Sequence, residues 1–340
     1  MTSRRQLLII GLLIALHIFI VFPGFFAPYA PASQDRERPF APPTRLHFTD
    51  AAGKFHLRPF VYVSEPQPDG NGYAENSAAS YPVHFFTSGQ RYEIVFGLTS
   101  HLHLFSVDPP ARICLFGTDD FGRDEFSRML YGGRISVLAG LLGTAIALFA
   151  GVFAGLLSGF YGNWIDAATM RLVELFLALP WLYLLFAFRA ILPLAIRTTD
   201  AFLLLVAVIG LVGWARPARL IRGIVLTAKE RDFVLAARAM GASDFHILRK
   251  HILPQTYGII LTLAALLVPQ FILAEVTLSF LGLGVGEPIP SWGNLLAELQ
   301  TYRVLTSYWW MYLPACALVL LFLAYHWASS LLHEQTAVSA

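Results

Sequence analysis

Few side chains in this sequence stand at spacings that support chemistry. His101 and His103 are two residues apart, with His47, His56 and His84 in the same stretch, and imidazoles on one face are what a metal ion needs. Their spacing fixes no coordination set, so they read as ordinary strand histidines and no metal is expected. Gly53-Lys54 lacks both the upstream glycine and the following Ser or Thr of a phosphate-cradling GxxxxGK[ST] loop. Cys114 and Cys316 lie in unrelated surroundings with no CxxC, which implies neither a metal site nor a disulfide framework. No Ser or Cys nucleophile is paired with a histidine, so the chain reads as a non-enzyme that needs no cofactor. Two ionisable residues remain inside apolar runs, Arg189 and Glu275, where a charge is costly and carries a functional hypothesis by default. Arg189 reads as snorkelling to an interface, with a substrate-facing role as the sharper alternative. Glu275 reads as hydrogen-bonded structurally, with a pathway role as its alternative.

The elements that must position these residues follow from composition. The chain has 340 residues, 56% hydrophobic and 14% charged, against about 25% charged in soluble domains. Several apolar runs approach 20 residues, so the fold class is an all-α polytopic membrane protein. A net charge of +2 is uninformative, because the placement of Lys and Arg carries the information.

In chain order, Arg4 and Arg5 precede an apolar run from Leu7 to Phe26, longer than a signal-peptide core and read as a retained first span. Residues 27–116 read as a soluble stretch on the outer side. It opens with a proline-rich tether and continues as short strands at Phe60–Val63 and Val83–Phe86, parted by the turn-rich PQPDGNG. Tyr92, Ile94, Phe96 and Leu98 alternate as one strand face. A small β-rich insertion is therefore predicted. In residues 116–136, Asp124 and Arg128 are four apart and are expected to pair on a helix. The next span, residues 135–160, carries Ala139, Gly143, Ala147, Gly151, Gly155 and Gly159 every fourth residue, a stripe that lets another helix approach closely. Further spans are predicted over about 172–194, where Arg171 and Glu174 make an i,i+3 pair at the inner edge, and over 201–214, 257–280 and 308–332.

Between the fourth and fifth spans lies RDFVLAARAMGASDFHILRKHILP, from Arg231 to Pro254. Ala236, Ala237, Arg238, Ala239 and Met240 favour helix, Gly241 ends it in the left-handed conformation, and Ser243 caps a second helix with Asp244 in its first turn. Pro254 is expected to stop that second helix. Eight Lys or Arg between Arg216 and Lys250 face only Glu230, Asp232 and Asp244, which places the loop in the cytoplasm. After Phe280, Gly282, Gly284 and Gly286 free the backbone to turn, which is tolerated at membrane depth only under cover of protein or beside a water-filled cavity.

Three of these stretches carry a resemblance. Ala236, Ala237, Gly241, Leu253 and Pro254 resemble the Glu-Ala-Ala loop of bacterial ABC importer permeases, although Leu235 stands where the family has Glu. The run FGTDDFGRDEFSRMLYGGRIS resembles the segment before the second span in the C-type subunit of dipeptide, oligopeptide and nickel permeases. SFLGLG and PSWG, between Ser279 and Gly293, are similar to a further family pattern. The resemblance covers about Phe116 to His333 and lapses over the insertion.

It implies a six-helix permease, a five-helix core plus the N-terminal helix, divided as 1–29, the insertion 30–115, an interfacial segment 116–134 and a core 135–335 with a coupling loop at 222–254. It implies that Leu235, Ala236, Ala237, Gly241, Ala242, Ser243, Asp244, Leu253 and Pro254 dock on a separate ATPase. Gate or pathway residues would be Glu275, Gly282, Gly284 and Arg189. The implied partners are a second permease subunit, two ATP-binding cassette subunits, an extracytoplasmic substrate-binding protein and membrane lipid, with no nucleic acid. Both termini would lie in the cytoplasm of a bacterial inner membrane, and the cargo would be a peptide or nickel. The competing class is a proton-coupled secondary transporter acting without an ATPase, but no second half mirrors the first.

Overall fold

The computed structural model describes residues 4–51, 53–67, 72–94, 97–191 and 198–338. The chain divides into two compact units, one of residues 12–136 and 279–320, the other of residues 1–11, 137–278 and 321–340. Helices α1 (Arg4–Val21) and α2 (Pro23–Phe26) come first, followed by β1 (His47–Thr49), β2 (Phe55–Pro66), β3 (Tyr73–Pro82), β4 (His84–Glu93) and β5 (Thr99–Ser106). Then come α3 (Glu125–Tyr161), α4 (Asn163–Ala178), α5 (Trp181–Ile191), α6 (Thr198–Gly213), α7 (Ala215–Ala228), α8 (Asp232–Ala239) and α9 (Asp244–Ile247). The remainder is α10 (Tyr257–Phe280), α11 (Trp292–Ala297), α12 (Tyr302–Ser307) and α13 (Leu313–Val338).

The first unit holds the five strands. Strands β1, β2 and β3 form an antiparallel sheet, and β4 and β5 form a hairpin. Val61 from β2, Phe105 from β5, and Val83, Ala111 and Ile113 from the connections bury one shared core. The proline-rich tether forms neither helix nor strand, but it is pinned down: Ala41 N donates to Thr118 Oγ1 at 2.7 Å and Phe40 N to the Asp119 carbonyl at 2.8 Å. The alternation from Tyr92 to Leu98 does not continue as a strand. β4 ends at Glu93, and Ile94 N donates to the Leu98 carbonyl at 2.8 Å, so the chain reverses there around Gly97, whose φ is +80°. Phe96 lies outside the described residues.

In the second unit the small-residue stripe of α3 meets the helix built by α6 and α7. A Cβ added at Gly151 would stand 2.6 Å from Pro217 Cβ, one at Gly155 2.7 Å from the Ala218 carbonyl oxygen, and one at Gly159 2.7 Å from Val225 Cβ. Backbone thus touches backbone, the arrangement that lets helices associate by dispersion where lipid removes any hydrophobic drive.

Among the described residues, four helices are long and apolar enough to cross a membrane, within Glu125–Tyr161, Thr199–Ala228, Asp244–Phe280 and Trp309–Ser330, and a bent pair makes up to five. Two of the six predicted spans take a different form in the structure. The first apolar run is broken at Phe22, where Pro23 cannot continue the 18-residue α1. The predicted span over 172–194 instead starts at Asn163 and breaks at Leu179–Pro180, with α4 and α5 bent by 93°. Leu179 takes the extended conformation (φ −90°, ψ 138°) that a following proline imposes. The end of that predicted span, residues 192–194, lies outside the described residues.

Candidate functional site

The Arg231–Pro254 stretch folds as two helices around a glycine. Arg231 is extended (φ −74°, ψ 146°), and α8 begins after it with Asp232 in its first turn. Gly241 has φ +81°, and both bonds of a Schellman cap are present: Ala242 N donates to the Ala237 carbonyl and Gly241 N to the Arg238 carbonyl, each at 3.0 Å. Nothing lies within 4 Å of where a Gly241 Cβ would be, so the glycine is required by conformation and not by crowding. Ser243 then caps α9, its hydroxyl accepting from His246 N at 3.4 Å.

Pro254 does not stop the second helix as expected. A π turn at Leu248–Ile252 and a 3-10 turn at Leu253–Thr256 carry it into α10, so that Asp244–Phe280 is one run of 37 residues. The wide turn just before the proline relaxes the i→i−4 geometry in which its ring would strike the carbonyl four residues back.

One side of the bracket is fixed. Val234, Ala237, Ile247 and Ile252 are buried with Phe160, Ile221, Val225 and Ala228. Lys229 Nζ reaches the Gly159 carbonyl at 3.0 Å, a cation at the end of α3 where the helix dipole favours it. Asp166 accepts two bonds from Arg222, at 2.5 and 2.6 Å, tying the start of α4 to α7. The other side is bare and mixed in character. Leu235 is 50% exposed, Phe245 71% and Met240 83%, among exposed Arg231, Arg238, Arg249 and Lys250. Ala236, Gly241, Ser243, Asp244 and Pro254 are exposed with them, Ala242 and Leu253 are half-buried, and Ala237 faces the core. An apolar, basic surface on a rigidly backed bracket suits docking.

The pathway candidates are less unified. Glu275 is fully buried in α10. Gly282 has φ +74° in a turn whose N–H bonds to the Ser279 carbonyl at 3.0 Å. Gly284 folds back on Ser279 so closely that a Cβ would sit 2.0 Å from its Oγ. Arg189 falls within α5, and its side chain lies outside the described residues. Arg171 and Glu174 do form the predicted pair, at 3.3 Å and exposed.

A charged cluster in the strand-bearing unit was not foreseen. Arg128 does not pair with Asp124, whose carboxylate accepts instead from Ser127 N and Oγ. The Arg128 guanidinium, 1% exposed, bridges Asp119 at 2.5 Å, Glu287 at 2.9 Å and Glu298 at 3.3 Å, and Arg123 joins Asp119 at 2.6 Å and Glu287 at 2.8 Å. The glycine-rich turn, through Glu287, and the end of α11, through Glu298, are thereby fastened to residues 119–128. Burial pushes the Glu298 carboxyl up to about 9, with Asp119 and Asp120 adding to the shift and Arg123 opposing it. Burial likewise raises Asp124 to about 6, against the Ser127 hydrogen bonds. Asp119, Asp120 and Glu298 approach as a possible cation trio. However, both Asp119 oxygens are already taken, one by Phe121 N and Arg123 N and the other by the two guanidiniums, so the trio works as part of an ion-pair network. The histidines do not converge either: His47 bonds Glu75, His56 bonds Asp50 and His103 bonds the Ala27 carbonyl. The only sequence signal for the cluster was the charge density of GTDDFGRDEFSR, which names no partners 160 or so residues away.

The profile of the family described as "Binding-protein-dependent transport system inner membrane component" matches residues 151–337. The dipeptide transport system permease protein DppC of Bacillus subtilis (strain 168) is 38% identical over 208 residues, 61% of this chain and 63% of that protein. The match therefore spans somewhat less than two thirds of that relative. The oligopeptide transport system permease protein OppC of the same strain is 37% identical over 218 residues, 64% of this chain and 69% of that protein. Among solved structures, an amino acid ABC transporter crystallised with histidines aligns with a TM-score of 0.46 and 18% identity, over 61% of this chain and 94% of that one.

Proposed function

The chain belongs to the family of binding-protein-dependent transport system inner membrane components, and from that premise we propose that it is one of two permease subunits of an ABC importer for peptides. The observation that carries the coupling role is the bracket. A Schellman-capped turn with Leu235, Met240 and Phe245 exposed on one side and a buried backing on the other presents a rigid shape that a separate ATPase subunit can grip. Movement of the gripped bracket passes along the continuous Asp244–Phe280 helix and the α6–α7 helix. The peptide cargo is supported by the names of the dipeptide and oligopeptide permease relatives. Specificity between cargoes resides in an external binding protein, so nickel stays an alternative cargo.

In this reading α1 and the α4–α5 pair each count as one span, making six, with both termini and residues 216–254 cytoplasmic. The β-rich insertion lies outside, beside the mouth of the pathway, where it meets the binding protein. The test is reconstitution in vesicles with a second permease subunit, two ATPase subunits and the binding protein. ATP-dependent peptide uptake that disappears on omitting the ATPase subunits is the expected result. Uptake by this chain alone, driven by a proton gradient, would overturn the proposal.

A further inference from the structure

Phe86 is out of place by two measures. Its φ is +55°, a conformation that a bulky side chain rarely adopts and that carries backbone strain. The residue is also 66% exposed, so it is not packed in a core that would offset that strain. Phe85 beside it is 51% exposed, and Leu102 on the paired strand 42%. An apolar surface built at the expense of backbone strain points to a medium that receives it.

The position of the hairpin identifies that medium. An unbroken run of rings leads from the end of α1 to Phe86: Phe19 stacks on Phe26 at 4.1 Å, Phe26 meets Phe25 at 5.0 Å, and Phe25 meets Phe86 at 6.4 Å. Two further contacts lock the hairpin to α2 and the residue after it, which follow directly on α1. The Tyr92 ring occupies the place of a Gly24 side chain, where a Cβ would lie 2.1 Å from Tyr92 Cδ2. His103 Nδ1 donates to the Ala27 carbonyl at 2.8 Å. α2 follows α1 after one residue and is tied to it by the Phe19–Phe26 stack, so the hairpin is held close to the end of α1. An apolar helix end with Phe19 and Phe22 still 45% and 41% exposed belongs at the boundary of the hydrocarbon.

We propose that the β4–β5 hairpin rests on the lipid interface, with Phe85 and Phe86 inserted at headgroup level beside the end of α1. This rests on α1 being a membrane span. The hairpin then acts as a float that holds the β-rich insertion at a fixed height over the bilayer. Rings of this kind sit roughly 5–10 Å into the headgroup and acyl boundary.

The test uses nitroxide labels on the assembled transporter in nanodiscs of phosphatidylethanolamine and phosphatidylglycerol, in a Cys114→Ser, Cys316→Ser background. Labels are placed one at a time through Phe85→Cys, Phe86→Cys, Ile14→Cys in α1 and Ala78→Cys in β3, and each is read for collision with oxygen and with a water-soluble nickel chelate. The expected result is an oxygen-to-nickel ratio at 85 and 86 several-fold above that at 78, approaching that at 14. Ready access of nickel to 85 and 86, with position 14 in lipid, overturns the inference and leaves α1 as a span. Exclusion of both reagents from 85 and 86 means that another protein subunit covers them, which also overturns it. Nickel access at position 14 refutes α1 as a span, whatever the hairpin shows.

Discussion

Replacing Gly241 by valine isolates what the bracket's shape is worth. Because nothing lies within 4 Å of the new Cβ, the substitution meets no steric obstacle, and its whole cost arises from holding an L-residue at φ +81°. That cost is about 1–2 kcal/mol, at its upper end for a β-branched side chain. The alternative is to abandon the αL cap, which forfeits the two Schellman bonds from Ala242 and Gly241, each worth about 1 kcal/mol net. Either route lowers the population of the docking-competent bracket by roughly 5- to 30-fold, since 1.4 kcal/mol is a factor of ten. Affinity for the ATPase subunits falls by the same factor. Gly241→Asn supplies the control, because asparagine tolerates the left-handed region and keeps the same exposure. Titration of purified ATPase subunits onto the permease pair in nanodiscs, with ATP-driven uptake as a second readout, gives the order glycine, asparagine, alanine, valine. Valine binding as tightly as glycine, or asparagine as weakly as valine, would refute the claim that backbone conformation at Gly241 shapes the docking surface.

Four further outcomes are expected. Gly155→Val drives a side chain into the Ala218 carbonyl and Ile221, and lowers the stability of the permease by about 1–3 kcal/mol in thermal melts in detergent. Gly223→Ala, which meets nothing within 4 Å in the middle of α7, is neutral or stabilising by up to about 1 kcal/mol. In a cysteine-free background, Ser243→Cys reacts with an impermeant thiol reagent only from the cytoplasmic side; strong labelling from outside would reverse the assigned topology. With its carboxyl raised to about 9 by burial, Glu298 keeps a proton in the folded state that it loses in the unfolded chain above about pH 4.5. Stability therefore falls as pH rises between those values. Glu298→Gln, a permanent mimic of the protonated form, has a melting temperature that declines less from pH 6 to pH 9 than the wild type does, and equal declines would place the titration elsewhere.

Local signals were the legible ones. The helix–glycine–helix bracket could be read because Ala, Gly and Ser each act within a turn or two of the backbone, and its αL glycine and serine cap stand where their chemistry puts them. The small-residue stripe announced close packing for the same reason, since a four-residue repeat needs no knowledge of the neighbour. Local reasoning misjudged the prolines, in both directions. Pro23 and Pro180 broke apolar runs that hydropathy joined, because a window average does not register a missing N–H. Pro254 failed to break a helix, because a π turn upstream absorbed it. Arg128 was beyond sequence reasoning of this kind. Its candidate four residues away was a sound local partner, but the carboxylates of Asp119, Glu287 and Glu298 come together only through the fold, and Asp124 was already claimed by the start of its own helix.

The two units are held together internally by different forces, and the solvent each element must satisfy explains the choice. In the unit of residues 137–278, lipid-facing helices gain nothing from burying apolar surface, so glycine brings backbones within reach at Gly151, Gly155 and Gly159, and packing supplies the association. In the strand-bearing unit, burial alone would not decide which of several exposed loops the glycine-rich turn should join. A buried guanidinium supplies that decision. Arg128 has little net worth as an ion pair, because its desolvation offsets the attraction. Left without Glu287, however, it would share the single carboxylate of Asp119 with Arg123 in a dry place, so arrangements of the turn that carry Glu287 away are disfavoured. Arg128→Met thus distinguishes stability from specificity: it removes the guanidinium and leaves Arg123 to hold Asp119 and Glu287. The expected result is a turn whose position, read by hydrogen exchange over residues 281–291, loosens by far more than the melting temperature falls. Unchanged exchange with a large fall in melting temperature would make the cluster a stabilising element and not a positioning one.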